Sequence, residues 1–239
     1  MTVSTDKAPA RIAGMFDSIA WRYDRLNHLL SLGLDRRWRR RAVRELALGG
    51  GEQVLDVCTG TADLAVEALT APSGQAREVV GVDFAGEMLR LAAGKVARLN
   101  LASRARFARA DATRLPLAGS SFDAAMVAFG IRNVLDPEAA IEEFRRVLRP
   151  GGRLAILEFG MPKIPGIRAA YRAYFRWVLP RIGRRMSQHG EAYSYLPASV
   201  EQFPEPEDFA TLLRQHGFSD VRAVPLTFGI VYLYRATRA

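Results

Sequence analysis

The chain has 239 residues, 49% of them hydrophobic and 25% charged, and a formal net charge of +9. That length supports one large α/β core and is too short for two ordinary ones. A single cysteine excludes a disulfide framework and fits a reducing cytoplasm. No apolar run reaches the roughly 20 residues of a membrane-spanning helix, and the polar opening MTVSTDKAPAR predicts no signal peptide.

In chain order, residues 11–48 read as a helical N-terminal extension, with Ile12, Phe16, Ile19 and Tyr23 at helical spacing, packed over the cofactor side of the core. Within it Arg36, Arg37, Arg39, Arg40 and Arg41 form a dense basic run that a helix spreads around its circumference. Residues 52–160 alternate strand and helix signals, which predicts a parallel sheet. In VLDVCTGTADLAVEAL, residues 54–69, an apolar strand ends at Asp56, and a small-residue turn through Cys58, Gly60 and Ala62 opens a helix. Such a turn lets backbone N–H groups approach a nucleotide-like cofactor and leaves an acid beside the pocket. Cys58 reads as a small side chain in that turn rather than a catalytic thiol.

A second strand, EVVGVD, ends in Asp83, about one βαβ unit later, placed to take both hydroxyls of a ribose. A third, near residues 105–108, leads to Asp111, an acceptor for an adenine amino group. The fourth, FDAAMVAFG, delivers Ile131, Arg132 and Asn133; the fifth, LAILEFG, comes after a turn at Arg149, Pro150, Gly151 and Gly152. Residues 161–200 read as an insertion, helical at first and turn-like around Pro180 and Pro197. In it Ile167, Tyr171, Tyr174, Phe175 and Val178 form one helical stripe and Arg168, Arg172 and Arg176 another. An interfacial helix over the acceptor site and ordinary core packing both account for this pattern. Residues 201–239 close the chain with the helix PEDFATLLRQHG and the strands DVRAVPLT and GIVYLYRAT, joined so tightly that they form an antiparallel hairpin.

Acids at three successive strand ends, with a Pro-Gly-Gly turn after them, resemble the class I methyltransferases that use S-adenosylmethionine. YDRLNHLLSLGLDRRW (23–38) and RVLRPGGRLAILEFG (146–160) are similar to the two signatures of the ubiquinone/menaquinone-biosynthesis C-methyltransferases, and FGIRN (129–133), LPRIG (179–183) and EAYSYLPASVEQFP (191–204) extend the likeness over residues 15–238. Leu26, Asp35 and Gly160 depart from the pattern, and Asp35 removes the signature histidine as a required base.

The resemblance implies a Rossmann-like α/β fold, a seven-stranded mostly parallel sheet ending in an antiparallel hairpin, with the helical extension and insertion on the substrate side. It implies S-adenosylmethionine held by Asp56, Gly60, Thr61, Asp83, Asp111, Ala112 and Ala128, with no metal. The expected reaction is methylation of a ring carbon of a reduced polyprenyl quinone, demethylmenaquinol first and a ubiquinone-pathway benzoquinol or other phenol as the alternative. An RNA methyltransferase is a lesser reading, because FGIRN stands where base-amino methyltransferases carry an Asn/Asp-Pro-Pro-aromatic clamp, and so is a cofactor-binding protein without catalysis, which would have no need of Arg132 and Asn133 on the substrate side. Arg132 is the expected stabiliser of the ring oxyanion; its alternative role is to pair with a carboxylate and hold its loop. Tyr23, Asp24, Tyr193, Tyr195 and His189 are secondary candidates. A lipophilic quinol implies a cytoplasmic enzyme in peripheral contact with an anionic membrane, without nucleic acid. Oligomeric state is left open.

Overall fold

The computed structural model describes residues 7–178, 181 and 191–239. His189 and Pro180 lie outside the described residues, as does the side chain of Tyr193.

Seven strands form one sheet: β1 (Gln53–Val57), β2 (Glu78–Asp83), β3 (Ala105–Arg109), β4 (Phe122–Ala128), β5 (Leu148–Phe159), β6 (Phe218–Leu226) and β7 (Val231–Arg238). Their spatial order is β3-β2-β1-β4-β5-β7-β6. The first five run parallel, and β7 is antiparallel to both β5 and β6. Strand order reverses between β1 and β4, so the ligand crevice of such a sheet lies beyond their carboxyl ends.

Residues alternate cleanly between two cores. Val54, Val79, Met126 and Leu157 pack on one face with Trp38, Leu46, Leu64 and Val96. Leu55, Val57, Val127 and Ile156 pack on the other with Ile141, Phe144, Phe209 and Leu213. A parallel sheet covered on both faces demands such continuous apolar strands, and each fully buried side chain contributes roughly 1.5–3 kcal/mol.

The N-terminal extension is two helices, α1 (Pro9–Leu30) and α2 (Leu34–Glu45), rather than one segment. Leu32 and Gly33 both take positive φ, and the Gly33 N–H closes the end of α1 on the His28 carbonyl at 2.7 Å. Helices α3 (Asp63–Thr70), α4 (Gly86–Arg98) and α5 (Pro137–Val147) cross between the parallel strands. Asp136 caps α5 by accepting the Ala139 N–H at 3.0 Å, with proline in the first turn. The fifth strand starts earlier than LAILEFG: Leu148 pairs with Phe122, Arg153 with Ala124, and the Pro-Gly-Gly segment bulges out between them.

The insertion departs from expectation in two places. Helix α6 (Pro165–Ala173) widens into a π turn at Tyr174–Val178. The extra residue per turn takes Val178 out of the apolar stripe, so Tyr171 and Phe175 are buried while Val178 is exposed. Helix α7 (Glu191–Gln202) runs through Pro197 instead of turning there. Burial of Tyr195, Ser199 and Val200 outweighs the hydrogen bond that the proline removes. Helix α8 (Pro206–Gln215) then precedes the hairpin. Among the described residues no helix is long and apolar enough to cross a membrane.

Candidate active site

The loop from β1 to α3 holds three closely spaced kinks. Cys58, Gly60 and Ala62 have φ of 54°, 55° and 68°, a left-handed conformation that only glycine adopts without strain. A Cβ on Gly60 would point into open space, whereas one on Gly130 would lie 2.3 Å from the Cys58 Cβ, so Gly130 is what lets the β4 loop approach this turn. The turn is tied to the end of β2: Thr59 N–H donates to the Val82 carbonyl at 3.0 Å and Gly60 N–H to the Asp83 carboxylate at 2.8 Å. Burial pushes the Cys58 thiol well up, which leaves it a packing residue rather than a nucleophile.

Beyond these strand ends lies a cleft of about 950 Å³, its open mouth included. It brings together Gly60, Asp83, Asp111, Ala112 and Ala128 of the expected cofactor set. Asp83 accepts Gly60 N–H through one oxygen and Ala85 N–H through the other, at 2.8 and 2.9 Å, which aims its remaining lone pairs along a fixed direction. Asp111 is fixed by the N–H and hydroxyl of Thr113, at 2.9 and 2.8 Å. Helix α1 roofs the cleft through Ile12, Phe16 and Tyr23. Asn133 offers a buried side-chain oxygen with no partner among the described residues. An acid at the end of β2, open space at Gly60 and an acceptor without a partner among the described residues fit S-adenosylmethionine.

Asp56 and Thr61 do not reach this cleft. They line a smaller polar cavity beside it, together with Arg39 and Asp63. Asp56 lies beneath the turn and accepts the Thr59 hydroxyl at 2.6 Å. Burial, reinforced by Asp83, pushes its carboxyl up to about 7. Thr61 donates to Asp24 at 2.5 Å, and Lys95 bridges Asp24 and Asp63 at 2.7 and 2.5 Å. Asp24 therefore belongs to a network that fastens α1 to α3 and α4.

That network continues into a cluster that no sequence motif announces. His28, Asp35 and Asp63 bring ligand atoms within 4.8 Å of one another. Arg39 stands among them, 2.5 Å from Asp35 and 3.1 Å from Asp63, so the cation of this cluster is a guanidinium. Burial opposes ionisation of Asp35, yet Arg39 and the Ser31 hydroxyl hold its carboxyl below the usual range. Asp35, replacing the signature histidine, thus serves as an ion-pair hub. Most of the basic run is neutralised likewise, Arg41 by Glu45 at 2.6 Å and Arg40 by Glu67 at 3.6 Å.

A second cavity, of about 1020 Å³, opens beside the cleft under α1, α2, α6 and α7. Its walls are mostly apolar, with Leu26, Trp38, Phe159, Phe175 and Ile230 among them. Phe16, Tyr23 and Phe129 line both spaces. Phe129 is held at φ 60°, an outlier for an aromatic residue, and its ring packs tilted against Phe159, centroids 4.6 Å apart. Arg132 lines this second cavity rather than the cleft. Its guanidinium is held on three sides, by Glu158 at 2.9 Å, by the Ser199 hydroxyl at 3.2 Å and by the Phe129 carbonyl. Glu158, wholly buried, also accepts the Arg132 and Phe159 backbone N–H groups. The carboxylate partner for Arg132 is therefore present, and the arginine also faces a cavity.

Of the secondary candidates, Tyr23 stands at the junction of all three cavities. Burial pushes its phenol up. Tyr195 lines the second cavity. The backbone of Tyr193 lies in α7, but its side chain and all of His189 are outside the described residues.

A model of the ubiE/COQ5 methyltransferase family matches residues 1–238. The chain belongs to that family. Over 225 residues it is 51% identical to the ubiquinone/menaquinone biosynthesis C-methyltransferase UbiE of Syntrophotalea carbinolica, covering 94% of this chain and 93% of that one. It is 40% identical over 232 residues to the demethylmenaquinone methyltransferase of Bacteroides fragilis, covering 97% and 94%. A solved methyltransferase of Thermotoga maritima, described as a possible histamine N-methyltransferase, matches with a TM-score of 0.65 at 18% identity, over 95% of this chain and 99% of that chain. At that identity the likeness is one of fold. As a UbiE-type protein the chain is an S-adenosylmethionine-dependent C-methyltransferase.

Proposed function

We propose that this enzyme methylates a ring carbon of a reduced polyprenyl quinone, converting demethylmenaquinol to menaquinol. One observation carries the reading: an aromatic-walled cavity that presents the buried Arg132 adjoins the cofactor cleft across Phe16, Tyr23 and Phe129. The relatives' names point to the same chemistry. S-adenosylmethionine, when bound, supplies an electrophilic methyl group on sulfur; Asp83, Asp111, Gly60, Ala112 and Ala128 would hold it, with Asp56 and Thr61 supporting the loop.

A ring carbon becomes nucleophilic when the adjacent hydroxyl loses its proton. Arg132 favours that oxyanion with a charge that Glu158 and Ser199 keep in one orientation. The ring carbon would then take the methyl group in exchange for its hydrogen, whose proton leaves to solvent or a nearby acceptor, and the ring oxygen would regain the proton it had lost. Tyr23 lines the junction, and most of the acceleration comes from aligning donor and acceptor there. A largely apolar cavity and the pairing of Arg39, Arg40 and Arg41 with acids disfavour a nucleic acid.

The polyprenyl tail is drawn from a membrane. Arg168, Arg172 and Arg176 are exposed on α6 and its π turn beside exposed Trp177 and Val178. The Tyr174 hydroxyl ties this segment to the end of α1 by donating to the Leu30 carbonyl at 3.1 Å, and Leu29 and Leu32 there are exposed too. Cations beside apolar groups suit the headgroup region of an anionic leaflet, to which a cytoplasmic enzyme docks. The functional test is quinone profiling of a host lacking this gene: a species lighter by one methyl, restored by the gene, is expected, and an unchanged profile contradicts the reading.

A further inference from the structure

The second cavity contains two polar groups that no described residue engages. Tyr171 on α6 and Tyr195 on α7 are 7% and 2% exposed, and neither hydroxyl has a partner among the described residues. Both side chains line the cavity that holds Arg132. Their neighbour Tyr174, by contrast, satisfies its hydroxyl on the Leu30 carbonyl. Buried hydroxyls are almost always hydrogen-bonded, because desolvating one without a partner costs free energy. Two orphans in one cavity, brought there by two different helices, mark positions where a ligand supplies the missing acceptors.

We infer that Tyr171 and Tyr195 donate hydrogen bonds to oxygen functions of the aromatic acceptor, so that the cavity selects a hydroxylated ring over a hydrocarbon of equal size. This rests on the second cavity being the acceptor site. Burial pushes both phenols up despite the opposing charge of Arg132, so at neutral pH they remain protonated donors and not bases. That assigns Tyr195 to binding rather than to proton removal. A hydrocarbon ring in the cavity would leave both hydroxyls unpaired; a diol would satisfy them, and such a difference discriminates more sharply than apolar contact alone.

The test uses the whole protein saturated with S-adenosylhomocysteine and measures anaerobic binding of 1,4-naphthalenediol and of naphthalene to the parent, Tyr171→Phe, Tyr195→Phe and the double variant. Each single variant should weaken diol binding about five- to tenfold, and the double variant more, the loss expected for neutral hydrogen bonds. Naphthalene binding and S-adenosylhomocysteine affinity should not fall. The Tm of each unliganded variant should equal or exceed that of the parent, because an unsatisfied buried group has been removed. Equal diol binding by parent and variants would overturn the inference and leave the cavity as the acceptor site. A parent that binds the diol no better than naphthalene would overturn both. Lower Tm in the variants would show that the hydroxyls hold the fold, and would overturn the inference alone.

Discussion

The cleft at the strand ends and the second cavity share a wall yet are built in opposite ways. The cleft is assembled from the ends of four successive strands, at Gly60, Asp83, Asp111 and Ala128, and is fixed largely by backbone hydrogen bonds. The cavity draws Leu26 from α1, Trp38 from α2, Phe159 from β5, Tyr171 from α6, Tyr195 from α7 and Ile230 from the hairpin turn. Arg132, buried in its wall, is held by a buried carboxylate. Carboxylates fixed on strand ends suit a polar, water-soluble donor; side chains gathered from six segments shape an apolar space that suits the proposed acceptor.

Arg132→Ala probes the cavity alone and should have the largest effect. It leaves Glu158 charged and unpaired in the core, so we expect a loss of about 3–5 kcal/mol in stability and a turnover reduced about a hundredfold in the protein that remains folded. Arg132→Lys should restore only part of either, because an ammonium lacks the planar fork that meets Glu158, Ser199 and Phe129 together. Denaturant titration and single-turnover kinetics separate the two effects. Full activity in both variants would reduce Arg132 to a loop fastener.

Asp56, under the cleft, titrates in the opposite sense to a salt-bridged acid. Its folded-state value of about 7 lies above the ordinary 3.8, so the native state binds this proton more tightly than the unfolded chain does. That contribution is complete below about pH 4 and is lost as pH rises through 7, a swing of roughly 4 kcal/mol. Asp56→Asn should flatten the decline of stability between pH 4 and 7, since an amide oxygen still accepts from Thr59. An unaltered profile would place the titration elsewhere.

Asp83→Ala should weaken S-adenosylmethionine binding by roughly 2–4 kcal/mol, read by calorimetry. It should also lower Tm, since the Gly60 and Ala85 N–H groups lose their acceptor. Acceptor binding in the second cavity should change little. The smallest effect is expected at the surface: replacing Arg168, Arg172 and Arg176 by Gln should weaken binding to anionic vesicles by about 1 kcal/mol per residue at most, more at low salt, without slowing turnover of a short-tailed quinol. Equal vesicle binding would sever the enzyme from the membrane surface.

The same contrast explains what the sequence makes visible. Strand-end acids and the glycine turn are local, so Asp83, Asp111 and Gly60 are legible from spacing and meet in the cleft. Asp56 carries the identical signal, but its side chain falls on the face beneath the turn, a choice set by strand register. Glu158 is another acid near a strand end, in LAILEFG. Its role depends on Arg132, 26 residues away in sequence, which no local pattern connects. Trp38, Phe129 and Ser199 are cavity or support residues only because distant helices close on them. The π turn that exposes Val178 is a single added residue per turn, to which a period-3.6 stripe is blind.

Carbon methylation of a reduced ring at the junction of the two spaces is tested most directly by anaerobic incubation of the enzyme with methyl-deuterated S-adenosylmethionine and a short-tailed demethylmenaquinol, with mass spectrometry and proton NMR of the product. One deuterated methyl group should replace one ring hydrogen, with both oxygens unmethylated and no product from the oxidised quinone. Label on oxygen, or equal transfer to the quinone, would contradict carbon methylation of the quinol.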